Sequence, residues 1–560
     1  MVTRLLRGAG FGLPLIPLIF LAVFFFYPLA SIMLLSLAPE GRPDLSAFSA
    51  VLGTRRYLDT LWFTTWQALL STLLTIGLAL PGAYVFTRFR FPGKSLLLSL
   101  ATLPFVLPTV VVAAAFTALV GPRGVVNEGL MSLLGMESPP VQLQRTLTLI
   151  LIAHVFYNYA VALRMISGYW ANQSTRIEEA ARVLGCSGWR LWWEVRLPVL
   201  RPAILAAAVL VFIFTFTSFG VILILGGLRY ATLEVEIYRQ YNTFLNLPVA
   251  AALSLVQIGS MFAMMIVYTR LQRGIVVDLQ SAQQVARKPR SRWDYTLLGA
   301  NVLLMVLLLF TPLLALVHRA LTVGGGLTLT HFSGLGENPR GSVLFVPPVI
   351  AVQNSLIFAL VTTLLAVSLG VLTAYLLSRQ RGRGRLSLTS WLDPLFMLPL
   401  ATSAVTLGFG FIISMDRPPL DLRSSRILIP LAHTLVAMPF VVRSVLPALR
   451  SIAPNVREAA SVLGAPPWAV WRYIDLPLIS RAIIVGATFA FTVSMGEFGA
   501  SLFVARPDTP TMPIVIFRLL GQPGIANYGQ AMAMSVILMA VCAAAFVLIE
   551  RLRRAGVGEF

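Results

Sequence analysis

IEEAARVLGCSGWRLWWEVRLPVLRP (Ile177–Pro202) and REAASVLGAPPWAVWRYIDLPLISR (Arg457–Arg481) are two copies of one pattern. Each runs Glu-Ala-Ala, three residues, Gly, nine residues, a hydrophobic residue, any residue and Leu-Pro. The first copy places Glu179, Ala180, Ala181 and Gly185; the second places Glu458, Ala459, Ala460 and Gly464, 279 residues on. Glu and Ala favour helix, Gly can take the left-handed turn that ends one, and Pro198 and Pro477 suit the start of the next. The pattern therefore predicts a short helix, a turn and a second amphipathic segment. Trp189, Trp192, Trp193, Trp468 and Trp471 would then pack under a helical bundle or sit at a lipid interface.

The repeat extends outward from these loops. At the same offset Ala153-His154 returns as Ala432-His433, Arg164 as Arg443, and Phe219-Gly220 as Phe498-Gly499. Upstream, Tyr84, Arg88, Gly93, Phe105 and Pro108 return as Tyr375, Arg379, Gly384, Phe396 and Pro399, now 291 residues on. A loop twelve residues shorter in the second copy accounts for the change of offset.

Between these landmarks the chain is apolar. Of 560 residues 57% are hydrophobic and 12% charged, where a soluble domain carries about 25% charged. The mean hydropathy is +0.83. Twelve apolar segments can be drawn, near 11–37, 61–87, 97–120, 146–170, 202–227 and 248–271, then 294–318, 351–377, 389–414, 427–450, 482–504 and 526–550. Each can cross a bilayer at about 20 residues per helix. The first is longer than a signal-peptide core and lacks a convincing cleavage site, so it is expected to stay as a helix. Six spans separate equivalent positions, an even number, so the halves share one orientation and form a parallel repeat. The expected organisation is residues 1–273, a basic cytoplasmic linker at 274–293, and residues 294–560.

The net charge of +21 comes from short basic clusters between apolar runs. They include Arg88, Arg90 and Lys94; Arg287, Lys288, Arg290 and Arg292; and Arg379, Arg381, Arg383 and Arg385. With both termini inside, about two-thirds of the Lys and Arg fall in or beside cytoplasmic segments, as the positive-inside rule requires. Nucleic-acid binding would need an aromatic-basic platform, which is missing. Cys186 and Cys542 lie far apart, and the four histidines, His154, His318, His331 and His433, show no ligand spacing, so neither a disulfide framework nor a metal site is indicated. Gly93-Lys94-Ser95 mimics the end of a phosphate loop, but Arg88 stands where that loop needs Gly.

The doubled Glu-Ala-Ala loop resembles the signature of permease subunits of type I ATP-binding-cassette importers. The resemblance implies an all-α membrane protein of about twelve spans in two parallel six-helix repeats, in a bacterial cytoplasmic (inner) membrane. It implies that Glu179, Ala180, Ala181 and Gly185 serve one ATPase subunit, and Glu458, Ala459, Ala460 and Gly464 the other. ATP would be hydrolysed on those partners, not on this chain, and an extracytoplasmic binding protein would deliver the solute. Phe214–Gln240, FTFTSFGVILILGGLRYATLEVEIYRQ, is similar to the matching stretch of thiamine permeases, with ferric-iron permeases the next resemblance.

Glu497 falls inside the eleventh apolar run, where an acid must face the bundle or a wet cavity. A cation site is one reading and a helix-packing or gate role the favoured one, because similar Gly-Glu-Phe-Gly runs occur in relatives that handle anions. Its counterpart is Ser218, so Ser218, Phe219, Gly220, Glu497, Phe498 and Gly499 are the candidate pathway or gate positions. His154 and His433, at equivalent positions, are expected to hydrogen-bond across helices. An ion-coupled secondary transporter is the alternative class. It would need embedded acids or His pairs and no docking loops.

Overall fold

A computed structural model describes residues 15–39, 41–273, 286–337, 346–378, 392–416, 418 and 420–555. Most of the expected linker 274–293 and the basic cluster at Arg379–Arg385 lie outside them. Among the described residues eleven helices are long and apolar enough to cross a membrane, or twelve if one bent pair counts as a span.

Eight of the twelve expected spans appear as single helices close to their predicted bounds, as at Leu147–Ala171, Leu428–Ser451 and Arg55–Arg88. The third and ninth are broken. Thr109–Val120 begins after a kink at Leu107-Pro108, and Leu392–Leu400 meets Ala404–Ser414 at 94°. The fifth and eleventh start earlier than hydropathy indicates and stop at Phe216 and Gly496. Proline marks the break in the third span, at Pro108, and disturbs the ladder of helices that stay whole, because it lacks an N–H and crowds the preceding turn. In four helices a π turn, Ala22–Phe26, Trp192–Arg196, Val306–Phe310 or Trp471–Asp475, ends two residues before Pro28, Pro198, Pro312 or Pro477. A π turn absorbs the mismatch that an intact α turn would meet as a clash.

The described residues fall into two compact units. One takes its residues from Val51–Glu236 and Val256–Leu329. Its centre is the packing of Arg55–Arg88 with Leu147–Ala171 and Leu197–Phe216, and Thr311–Leu321 lies on Thr109–Val120. A Cβ at Gly82 would stand 2.6 Å from Tyr159 Oη and 3.4 Å from Asn301 Oδ1, so glycine lets three helix backbones approach. The entry to Arg292–Leu321 is fixed by a capping box between Ser291 and Asp294 and by Arg90 N–H donating to the Arg287 carbonyl at 2.9 Å.

The other unit takes its residues from Met1–Ala50, Ile237–Leu255 and Thr330–Phe560. Its centre repeats the first, with Pro348–Ser378, Leu428–Ser451 and Leu476–Gly496 mutually packed. Gly370 and Gly486 both face Val441, where a Cβ would come within 2.7 and 3.2 Å. The helix Tyr27–Leu37 packs on Ala404–Ser414, and a Cβ at Gly410 would meet Pro28 at 3.0 Å. The first helix of the chain therefore belongs to the unit built mainly from the second half, and Arg292–Leu321 to the unit built mainly from the first.

Hydroxyls inside the helices are satisfied locally. Thr64, Thr72 and Thr75 donate to carbonyls four residues back at 2.6–2.7 Å, which removes the cost of a bare polar group in an apolar interior.

Candidate functional site

The two repeated loops fold alike to the level of single hydrogen bonds. The helix Arg176–Val183 ends at Gly185, φ +83°. There Cys186 N–H donates to the Ala181 carbonyl at 2.9 Å and Gly185 N–H to that of Arg182 at 3.0 Å. The helix Pro454–Val462 ends at Gly464, φ +82°, with Ala465 N–H on Ala460 and Gly464 N–H on Ser461, both 3.0 Å. This double bond is the Schellman end that glycine in the left-handed region permits. A Cβ at either glycine would meet nothing within 4 Å, so backbone conformation alone demands glycine within the chain.

Both loops present the same face. Glu179, Ala180, Glu458 and Ala459 are exposed, while Ala181 and Ala460 are half-buried. At the tips Val183, Leu184, Val462 and Leu463 are each 86–88% exposed. Each turn thus holds two aliphatic side chains out from the chain, in both copies. Trp189 and Trp468 are also exposed, whereas Trp192 packs against Tyr84 and Trp170, with ring centroids 6.2 and 5.8 Å apart.

Glu178, which the motif does not single out, is the buried anchor of the first loop. It accepts from Arg196 Nε and Nη2 at 3.3 and 3.2 Å and from Arg88, with Arg182 at 4.0 Å. Arg196 also lies over Tyr84, 5.3 Å from its centroid. In the second loop Arg457 Nε donates to Asp475 at 2.7 Å. Arg457 and Asp475 stand 279 residues after Glu178 and Arg196. The ion pair is thus repeated with its signs reversed. Comparing the copies for complementary exchanges, not only for identities, would have found it.

The candidate pathway positions mark breaks in the helices. Leu197–Phe216 stops before Ser218-Phe219, and Leu476–Gly496 before Glu497-Phe498. The helix then resumes at Gly220 and Gly499. The structure joins each break to the repeated histidine. His154 contacts Ser71 through Nδ1 and Ser218 through Nε2, both at 2.9 Å. His433 contacts Ser494 through Nδ1 and Ser501 through Nε2, both at 2.8 Å, and its Nε2 is 3.4 Å from Glu497. Glu497 accepts from the N–H groups of Ala500 and Ser501 and from the Ser501 hydroxyl, all at 2.9 Å. Its carboxylate caps the helix Gly499–Val504 and is occupied by its own neighbourhood. Phe219, Phe498, Ser218 and Gly220 are buried and Gly499 half-buried, with Phe498 against Phe517 at 5.4 Å. Among the described residues no three His, Cys, Asp or Glu side chains gather as metal ligands would.

Comparison with known proteins agrees with this doubled architecture. The model of the family described as "binding-protein-dependent transport system inner membrane component" matches twice, over residues 71–277 and 342–555. Among curated relatives, the thiamine transport system permease protein ThiP of Salmonella typhimurium is 27% identical, over 88% of this chain and 88% of its own. That of Brucella abortus is 27% identical over 95% and 94%, and that of Haemophilus influenzae 28% over 88% of each. With its two family matches, its repeated helical cores and its paired loops, the chain belongs to the binding-protein-dependent transport system inner membrane components, as a fused two-half permease of the ATP-binding-cassette importer type.

Proposed function

We propose that this permease imports thiamine, received from a binding protein on the outer face and driven by two ATPase subunits on the inner face. The observation that carries the coupling is the pair of loop ends with the same hydrogen bonds, each exposing two aliphatic side chains beside a left-handed glycine. Glu179, Ala180, Ala181 and Gly185 would seat one ATPase subunit and Glu458, Ala459, Ala460 and Gly464 the other, with both chain termini cytoplasmic. The binding protein would dock on the segments Arg229–Asn246 and Ala505–Gly524. Thiamine is favoured over ferric iron because relatives carrying that name match along nearly the whole length of both chains. ATP closure of the two subunits would drive alternation by binding one state of the permease more tightly than the other.

The helix breaks at Ser218 and Glu497 are read as packing and gate positions. The Glu497 carboxylate already holds three donors and lies beside His433. Reconstitution with the ATPase and binding protein, followed by uptake of labelled thiamine or ferric iron, tests the solute. Thiamine should accumulate and ferric iron should not; the reverse would transfer the assignment to iron.

A further inference from the structure

Two residues link each repeated loop to the helix that follows it, and neither matches its counterpart in the other loop in type or charge. Glu178 and Arg196 pair in one half, Arg457 and Asp475 in the other. Every one of the four differs in charge from its counterpart, yet the bond survives. Charges that act singly gain nothing from inverting together, whereas charges that act as a pair are indifferent to which end is positive.

The burial and placement say what the pair is for. Side-chain exposure is 10% for Glu178, 11% for Arg196 and 3% for Asp475, with Arg457 at 31%. Each bond runs from the first helix of the loop to the last residue of a π turn, Trp192–Arg196 or Trp471–Asp475. That turn continues without interruption into Leu197–Phe216 or Leu476–Gly496. We propose that Glu178–Arg196 and Arg457–Asp475 are matched struts, positioning residues that make each loop move as one body with its following transmembrane helix. This rests on the reading that the loops seat the ATPase subunits.

The two struts are not equally reversible. Glu178 also receives Arg88 and stands 4.0 Å from Arg182, so an arginine in its place would face two other arginines. In the second loop the counterpart of Arg182 is the neutral Ser461. Inverting Arg457 and Asp475 reproduces the polarity that the first half already holds at the same place.

The test is the reconstituted transporter, complete with its ATPase and binding protein, scored for copurification of the ATPase and for solute moved per ATP hydrolysed. Arg457→Glu and Asp475→Arg alone should retain the ATPase yet lower that ratio about tenfold, because each leaves a charge without its partner. R457E/D475R should restore the ratio, and E178R/R196E should not. Should the single variants fail to reach the membrane, the neutral pair R457Q/D475N takes their place and should also uncouple. Single or neutral variants that keep the unmodified ratio, or an R457E/D475R no better than its parents, would overturn the strut. If the unmodified chain fails to retain any ATPase, the reading of the loops falls instead, a result distinct from both.

Discussion

Glu497 and its surroundings show how an acid in an apolar segment can have its oxygens satisfied from within the chain. Its oxygens receive two backbone N–H groups and one hydroxyl, with His433 beside them. Glu497→Ala should leave the Ala500 and Ser501 N–H groups bare, at about 1–3 kcal/mol for each unsatisfied group. The expected outcome is a lower melting temperature in detergent with the KM for solute unchanged. A shifted KM at unchanged stability would mean that the carboxylate touches the solute. The sequence gives the acid and its counterpart Ser218 but not the closure of the site, because that depends on where the chain turns after Gly496. Likewise the reciprocal bonds of His154 with Ser71 and Ser218 join residues far apart in the chain.

At the scale of elements, the loop ends were legible and the helix breaks were not. The Glu-Ala-Ala and Gly spacing fixes a helix, its length and its left-handed stop, and the structure supplies that stop twice. Hydropathy averages over a window, so it joins Lys94–Val106 to Thr109–Val120 across Pro108 and runs the fifth span past Ser218. Glu178 is not marked by identity between the copies, because its counterpart Arg457 has the opposite charge. For the loops themselves, Gly185→Val and Gly464→Val each force a β-branched residue to φ near +80°, costing about 1–2 kcal/mol. Since a Cβ meets nothing in the chain itself, the permease should still fold while copurification of the ATPase falls sharply. Unaltered assembly and transport in both variants would count against a docking role.

For the whole molecule, the repeat was readable because its landmarks return in order at a nearly constant offset, and the family model matches once in each half. The membership of the first helix was not. Leu15–Leu37 is apolar throughout its length and carries no mark of its neighbours; its packing on Ala404–Ser414, close at Gly410, places it in the unit containing Thr330–Phe560. The same holds for Arg292–Leu321, placed by Asn301 beside Gly82. What such a molecule can do turns on its source of energy. On the proposed reading the fused permease, with two docking loops, would depend on nucleotide hydrolysed by its partners, whereas an ion-coupled carrier would depend on embedded charges that the solute or ion engages. The most direct measurement is thiamine uptake into proteoliposomes holding this chain with its ATPase and binding protein, with ATP and an imposed ion gradient supplied separately. Uptake should require ATP and proceed with no gradient; uptake that follows the gradient in the absence of ATP would contradict the importer mechanism.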